Sequence, residues 1–311
     1  MKHSFTILLC CVVTFTATAQ KKVAFTIDDV PNSILYKEDG FKCRLLETID
    51  SLHLPAAIFI NERLLFSTDS FSQNIRLFDN WIKSANTIAG NHAFSHAMYS
   101  TISIDSFVVE VLKGEAITKQ LATKYNKEEK YFRFPYNDLG KDEAQQKAAA
   151  DFLHKKNYII TPFTVHSDDW LVTQLYAYYK THNRQADAER IGKAFIQKTI
   201  DYFDYIETLT SKKEGRDVKQ IYLMHDNLLN ADYLPQLVAA LKQKGYQFIS
   251  LDEAMTDPVY QQEDYFKERF GISWVYRWIK DKTERNELIN KGPQTTDFEK
   301  ELKEIQSAGN K

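Results

Sequence analysis

Short apolar runs alternate along this chain with longer stretches in which apolar residues recur every three or four positions. Val23–Ile27, Ala56–Ile60, Thr87–Ala89, Tyr131–Phe134, Tyr158–Val165, Ile221–Met224 and Tyr246–Ser250 read as strands. Between them, Phe41, Leu45, Leu46, Ile49 and Leu52 mark one helix, and Ile75, Phe78, Trp81 and Ile82 mark a second over Phe71–Ser84. A third runs from Asp105 towards Tyr125 with Val108, Leu112, Ile117 and Leu121, and a fourth over Lys141–Lys155. Leu171–Leu209 is helical with a polar break at His182–Ala186, and Leu234, Leu237, Val238 and Leu241 mark a last helix before Gly245. About seven strand–helix units with buried, continuous apolar strands predict a parallel α/β sheet with right-handed crossovers. Polar residues follow the first, third, fourth, fifth and sixth strands, which predicts barrel-like closure, because only a barrel gathers all those strand ends around one mouth.

The flanks differ from this body. Met1–Ala19 has a basic start at Lys2, the apolar run Phe5–Phe15 and a small-residue end, Ala17-Thr18-Ala19. The run is well short of the roughly 20 residues of a membrane-spanning helix, so it reads as a signal peptide cleaved after Ala19 and predicts export to the periplasm or beyond, with no stable membrane span. Cys10 and Cys11 leave with that segment and Cys43 remains without a disulfide partner. The body is then 20–255, with a helical insertion at about 171–209. The remainder, 256–311, is an extension whose Phe266, Phe270, Trp274, Tyr276, Trp278 and Ile279 dock it on the body and whose charged tail is partly frayed. A formal charge of −2 and the lack of a Lys/Arg block exclude a nucleic-acid partner. The 17 Tyr, 20 Phe and 4 Trp suit both ordinary packing and a wall for sugar rings.

Candidate chemistry sits at the strand ends. Asp28 and Asp29 close the first strand; His92 and His96 follow the third, spaced so that both rings face one way. Two imidazoles and one carboxylate make the donor set of a catalytic zinc or related divalent site with a position left for water. Which aspartate ligates and which does acid–base work is left open by the sequence. Arg133 can grip a carboxylate, and Asp169 can orient His225 as a proton donor.

These residues fall in a recognisable series. The chain resembles the polysaccharide deacetylases of the NodB-homology, carbohydrate esterase family 4 type, through Thr26-Ile27-Asp28-Asp29, His92-Ala93-Phe94-Ser95-His96, Arg133-Phe134-Pro135-Tyr136, part of a fourth motif at His166-Ser167-Asp168-Asp169-Trp170, and Ile221-Tyr222-Leu223-Met224-His225. The resemblance spans Val23–Leu251 and implies a distorted (β/α) barrel. It implies Asp28 as base and Asp29, His92 and His96 as ligands of one divalent ion, zinc by expectation. Arg133 then positions the base, and His225, oriented by Asp169, is the acid. The Tyr136 N–H would face the developing oxyanion, and Trp170 and Leu223 would form a notch for the acetyl methyl group. The implied reaction removes acetyl groups from an N- or O-acetylated glycan or oligosaccharide. A hydrolase of a non-carbohydrate amide and a non-catalytic carbohydrate-binding protein stay open beside it. The sequence departs from the family at Val30, which stands where glycine is usual, at His166, which stands where aspartate is usual, and in the insertion. His166 either only braces its loop or reaches the substrate, and the insertion's tyrosines and phenylalanines are expected to rim the cleft.

Overall fold

The computed structural model describes residues 20–309, so the proposed signal peptide lies outside the described residues. The sheet has eight strands: β1 (Lys22–Val30), β2 (Ala56–Ile60), β3 (Thr87–Asn91), β4 (Tyr131–Phe132), β5 (Ile159–Ile160), β6 (Val165–His166), β7 (Gln220–His225) and β8 (Gln247–Ile249). All the ladders are parallel, in the order β5-β4-β3-β2-β1-β7-β6. β8 pairs with Lys22–Ala24 of β1, ahead of the stretch that β2 takes. The connecting helices are α1 (Ser33–Glu38), α2 (Arg44–Leu52), α3 (Phe71–Lys83), α4 (Ile104–Gly114), α5 (Ala116–Lys124), α6 (Glu143–Lys155), α7 (Asp169–Thr181), α8 (Gln185–Glu214) and α9 (Leu228–Gln243). Four more follow β8: α10 (Leu251–Ala254), α11 (Trp274–Arg277), α12 (Lys282–Lys291) and α13 (Thr296–Gly309).

The central strands are mostly apolar between their ends because helices cover one face and the barrel interior the other; β2 is wholly apolar and every residue of it is buried. Closure follows from chain length. β5 and β6 are the two ends of the sheet order, yet only Thr161–Thr164 joins them. A link that short spans at most about 18 Å, so the sheet must curl until its edges come close. No ladder joins β5 to β6 among the described residues, so the fold is a distorted (β/α) barrel open along one seam. The run Tyr158–Val165, expected as one strand, is therefore two strands separated by a turn. Pro162, which lacks an N–H to donate to a ladder, stands between them. Thr161 still bonds to Phe132 on the β4 side, whereas Thr164 bonds to Ile221 on the β7 side.

The extension covers that seam from outside. Trp274 N donates to Phe163 O at 2.9 Å and Ser273 Oγ to Thr164 O at 2.6 Å. The charged tail forms α12 and α13, and α13 buries Phe298 and Leu302 in a cluster with Leu175, Tyr179 and Phe195 of α7 and α8. α7 ends and α8 begins on either side of the polar break read from the sequence.

The wall beside the mouth of the barrel is tied down by one buried carboxylate. Glu62 begins a 3-10 turn (Glu62–Phe66) after β2, and its Oε1 accepts from the N–H groups of Ile117 and Thr118, both at 2.7 Å, and from Thr118 Oγ1 at 2.9 Å. Glu62→Ala leaves these donors buried without an acceptor and is expected to cost about 3 kcal/mol, whereas Glu62→Gln, which keeps an acceptor oxygen, should cost less than about 1.5 kcal/mol. Urea unfolding of the two variants checks this; equal losses would show that Glu62 acts by volume alone.

Candidate active site

Two adjacent residues of a regular strand point to opposite faces, so bringing both carboxylates to one mouth needs a local distortion. β1 supplies it. Ile27 pairs with Ile58, but Val30 pairs with Ile60, so one extra residue is accommodated at Asp28–Asp29 as a bulge. Asp29 adopts φ 60°, the left-handed region, which aspartate tolerates better than most residues. The strand then continues to Val30 instead of ending at Ile27. Val30 is buried and takes no positive φ, so the valine in place of glycine leaves the backbone here unstrained.

Asp29, His92 and His96 converge, with one donor atom from each lying within 4.8 Å of the others. His96 Nε2 is 3.3 Å from Asp29 Oδ1 and His92 Nε2 is 3.8 Å from it. The His92 ring lies against the His96 ring at 5.1 Å. His92 Nδ1 lies 2.7 Å from the carbonyl of Arg133, so Nδ1 carries the proton and the Nε2 lone pair faces the cluster. Burial, reinforced by His96, lowers the His92 pKa to about 3, which keeps the ring neutral as a ligand must be. Asn61 donates through Nδ2 to the carbonyls of His92 and Ala93, and Glu110 accepts from Ser95 N at 2.7 Å, fixing the loop that carries His96. Ala93 and His96 are both left-handed, φ 61°, a strain of roughly 1 kcal/mol or more each held at the site by these bonds. The donor set, the neutral buried histidine and its oriented tautomer fit a divalent ion.

Asp28 borders the cluster, but one of its oxygens is held elsewhere. Arg133, fully buried, donates from Nη1 to Asp28 Oδ1 at 2.8 Å and to Thr26 Oγ1 at 2.7 Å, and from Nη2 to Pro162 O at 3.0 Å. Asp28 Oδ2 remains free of that grip, 3.6 Å from His92 Nε2. Burial raises the Asp28 pKa above its ordinary value, and Arg133 and His225 only partly offset this. The carboxyl is thereby a better proton acceptor than an exposed aspartate.

Across the mouth, Asp169 Oδ1 lies 2.8 Å from His225 Nδ1, and Asp169 Oδ2 accepts the His225 backbone N–H at 2.8 Å. Asn227 Nδ2, at 2.9 Å, and Asn230 Nδ2 complete the carboxylate's shell. Burial alone would lower the His225 pKa, but Asp169 overrides it and carries it up to about 10, so the imidazole holds a proton on the side facing the mouth. These asparagines, with Thr26, Asn61, Glu110 and Lys198, were not singled out from the sequence; ordinary polar residues beside motif residues carry no signal of their own there.

A cleft of 530 Å³ opens beside the cluster, lined by Asp29, His96, His225 and Trp170 together with Asn32, Ile34, Asn61, Arg63, Leu64 and Asp226 among others. Trp170 is 55% exposed on that wall. Leu223 lies two residues before His225 on the same face of β7, buried below the mouth and off the lining of the cleft. Tyr136 borders the site through its ring, 4.5 Å from that of His96. His166 Nδ1 meets Asp168 Oδ1 at 3.0 Å and its ring packs on Tyr202 of α8, away from the cleft. Lys198 reaches Asp168 Oδ2 at 2.6 Å, and the contacts with His166 and Lys198 hold the Asp168 carboxyl below the usual range against its burial. The expected aromatic rim is not formed. Tyr176, Tyr179, Phe195, Tyr202 and Phe203 are buried in the core, and from α7 only Trp170 and Thr173 reach the cleft. Tyr176, Tyr179 and Phe195 pack in a cluster between α7, α8 and α13, whereas Tyr202 and Phe203 join the main core beside β7.

A family model described as polysaccharide deacetylase matches residues 16–154, a stretch that includes Asp28, Asp29, His92, His96 and Arg133. The matched stretch is a little under half of the chain, and over it the sequence is similar to the polysaccharide deacetylases. No protein of curated function matches the sequence. Among solved structures, the fold is similar to a CE4 family pseudoenzyme from Bacillus anthracis, at 18% identity over 76% of this chain and 66% of that one, with a TM-score of 0.50. A mutant of that protein with restored enzymatic activity is similar at 20% identity over 76% and 68%, also with a TM-score of 0.50. A family 4 carbohydrate esterase from Streptomyces lividans in complex with acetate is similar at 19% identity over 76% and 97%, with a TM-score of 0.48.

If Asp29, His92 and His96 are the protein ligands, the purified protein should carry about one divalent ion per chain. His92→Ala and His96→Ala should each lose most of it. Elemental analysis by plasma mass spectrometry reads this directly; full ion content in both variants would refute the ligand set.

Proposed function

We propose that this protein is an exported hydrolase that removes acetyl groups from an N- or O-acetylated glycan with the help of a zinc ion. One observation carries the reading. The Asp29–His92–His96 cluster is flanked by two independently held proton-transfer groups, Asp28 gripped by Arg133 and His225 gripped by Asp169. A fold of this kind is worn by a protein described as a pseudoenzyme, so the activity is argued from these side chains and not from the barrel.

The ion, when bound by Asp29, His92 and His96, would polarise the acyl carbonyl and acidify water beside it. Asp28 takes the proton from the attacking water through the oxygen that Arg133 leaves free. The new C–O bond forms as the carbonyl π pair moves onto oxygen, where the Tyr136 N–H, which donates to no acceptor among the described residues, supplies a hydrogen bond. His225 gives its outward proton to the departing nitrogen or oxygen as the bond to the acyl carbon breaks, leaving acetate and a free amine or hydroxyl. Asp169 balances the imidazolium before that transfer and keeps Nδ1 protonated after it. The exposed Trp170 face and the neutral wall of Asn32, Asn61 and Ser95 suit a sugar ring and its hydroxyls. Export rests on the leader-like Met1–Ala19. No helix of the described residues is long and apolar enough to cross a membrane.

Acetate release from acetylated glycans, run beside small N-acyl amides, tests the substrate class. Asp28→Asn keeps the shape of the side chain but removes its basicity, so kcat should fall by about 100-fold or more with ion content unchanged. An unchanged kcat in that variant would remove Asp28 as the base, and turnover of the simple amides alone would remove the glycan.

A further inference from the structure

The C-terminal extension lies outside the part of the chain that the family model matches, yet it touches the backbone that the proposed chemistry uses. Tyr136 sits in a tight turn, Pro135–Asn137, in which both Tyr136 (φ 57°) and Asn137 (φ 49°) are left-handed. Tyrosine has no local reason to adopt that conformation, so something must hold it there. Gly271 N donates to the Tyr136 carbonyl at 2.9 Å. The contact is so close that a Cβ at position 271 would lie 2.1 Å from Asn137 Cβ and 2.5 Å from Asn137 O. Gly271 has no positive φ, so its lack of a side chain answers to space and not to conformation.

The segment bearing Gly271 is itself braced. Arg277 is fully buried, bonds Asp264 Oδ2 at 2.5 Å and lies over the rings of Phe266 and Trp274 at 5.1 and 4.8 Å. Tyr265 N bonds Arg277 O at 2.9 Å, closing residues 265–277 into a loop. Ser273 and Trp274 then fasten this loop to the open seam through Thr164 O and Phe163 O. On the inner side of the seam, Pro162 O receives Arg133.

We propose that the extension is a strap that holds the Tyr136 turn in its left-handed form and so sets the direction of the Tyr136 N–H, with Gly271 as its positioning residue. The catalytic part of this inference rests on the deacetylase reading above; the anchoring part does not. The strap fixes the turn by its carbonyl and leaves the N–H free, which is the arrangement a preorganised donor requires.

Two variants test it. Gly271→Ala forces the two backbones apart, and Ser273→Ala loosens the strap from Thr164 without adding bulk, which covers the case in which Gly271→Ala fails to fold. Phe298→Ala, in α13, is the control, since it weakens the extension far from Tyr136. NMR-detected amide exchange is read at Asn137 and Asp138, whose N–H groups bond Phe134 O and Pro135 O within the turn. Exchange there should rise about tenfold or more in the strap variants and stay unchanged in the control. With ion content unaltered, kcat should fall severalfold to tenfold while KM holds. Unchanged exchange in folded strap variants would overturn the strap. Raised exchange with wild-type kcat would overturn its catalytic role. A wild-type protein that releases no acetate would instead overturn the deacetylase reading, and the exchange result would still decide the strap.

Discussion

A single buried guanidinium organises this molecule. Arg133 enters from the end of β4, crosses the interior to Thr26 and Asp28 on β1, and reaches Pro162 at the seam, while its own carbonyl receives His92. A charge so placed is strongly unfavourable unless it is paired and hydrogen-bonded, and here Asp28 is the only carboxylate it pairs with among the described residues. The pairing therefore acts in both directions. Asp28 compensates the cation, and the cation holds Asp28 Oδ1 and leaves Oδ2 beside the cluster that its neighbour Asp29 joins. Two adjacent carboxylates thus acquire different tasks without any difference in residue type.

The remainder of the site repeats that logic of fixing one atom of a group and leaving the other free. Asp28 is held by one oxygen, His92 by Nδ1, His225 by Nδ1 and Tyr136 by its carbonyl, and in each case the unheld atom is the one the chemistry uses. Left-handed residues at Asp29, Ala93, His96 and Tyr136 aim these groups, and their strain is sustained by the packing and hydrogen bonds around them. The seam is where this support is most exposed, since no ladder joins β5 to β6 among the described residues. Arg133 bridges it from within and the C-terminal extension from without.

Much of this was legible in the chain. Apolar runs ending in polar residues located the central strands and their shared mouth, because strands buried on both faces tolerate polarity only at their ends. Asp28, Asp29, His92, His96, Arg133, Asp169 and His225 could be assembled from those ends. What escaped was geometry without compositional signature. Nothing in Thr26-Ile27-Asp28-Asp29 announces a bulge, and nothing in Tyr158–Val165 except Pro162 announces that one apolar run serves opposite ends of the sheet order. Lys198 and Asn230 reach the site from α8 and α9, and such contacts depend on tertiary placement. The insertion's rings looked like a cleft rim because aromatic residues serve cores and sugar sites equally well.

The claim that Arg133 and Asp28 work as one unit is tested most directly by a double-mutant cycle on kcat with Arg133→Met and Asp28→Asn. Acting as a unit, each single variant loses about 100-fold or more and the double variant is scarcely worse than the poorer single, a coupling of about 2 kcal/mol or more. Losses that simply multiply in the double variant would contradict the account, since Arg133 would then serve the barrel without serving the base.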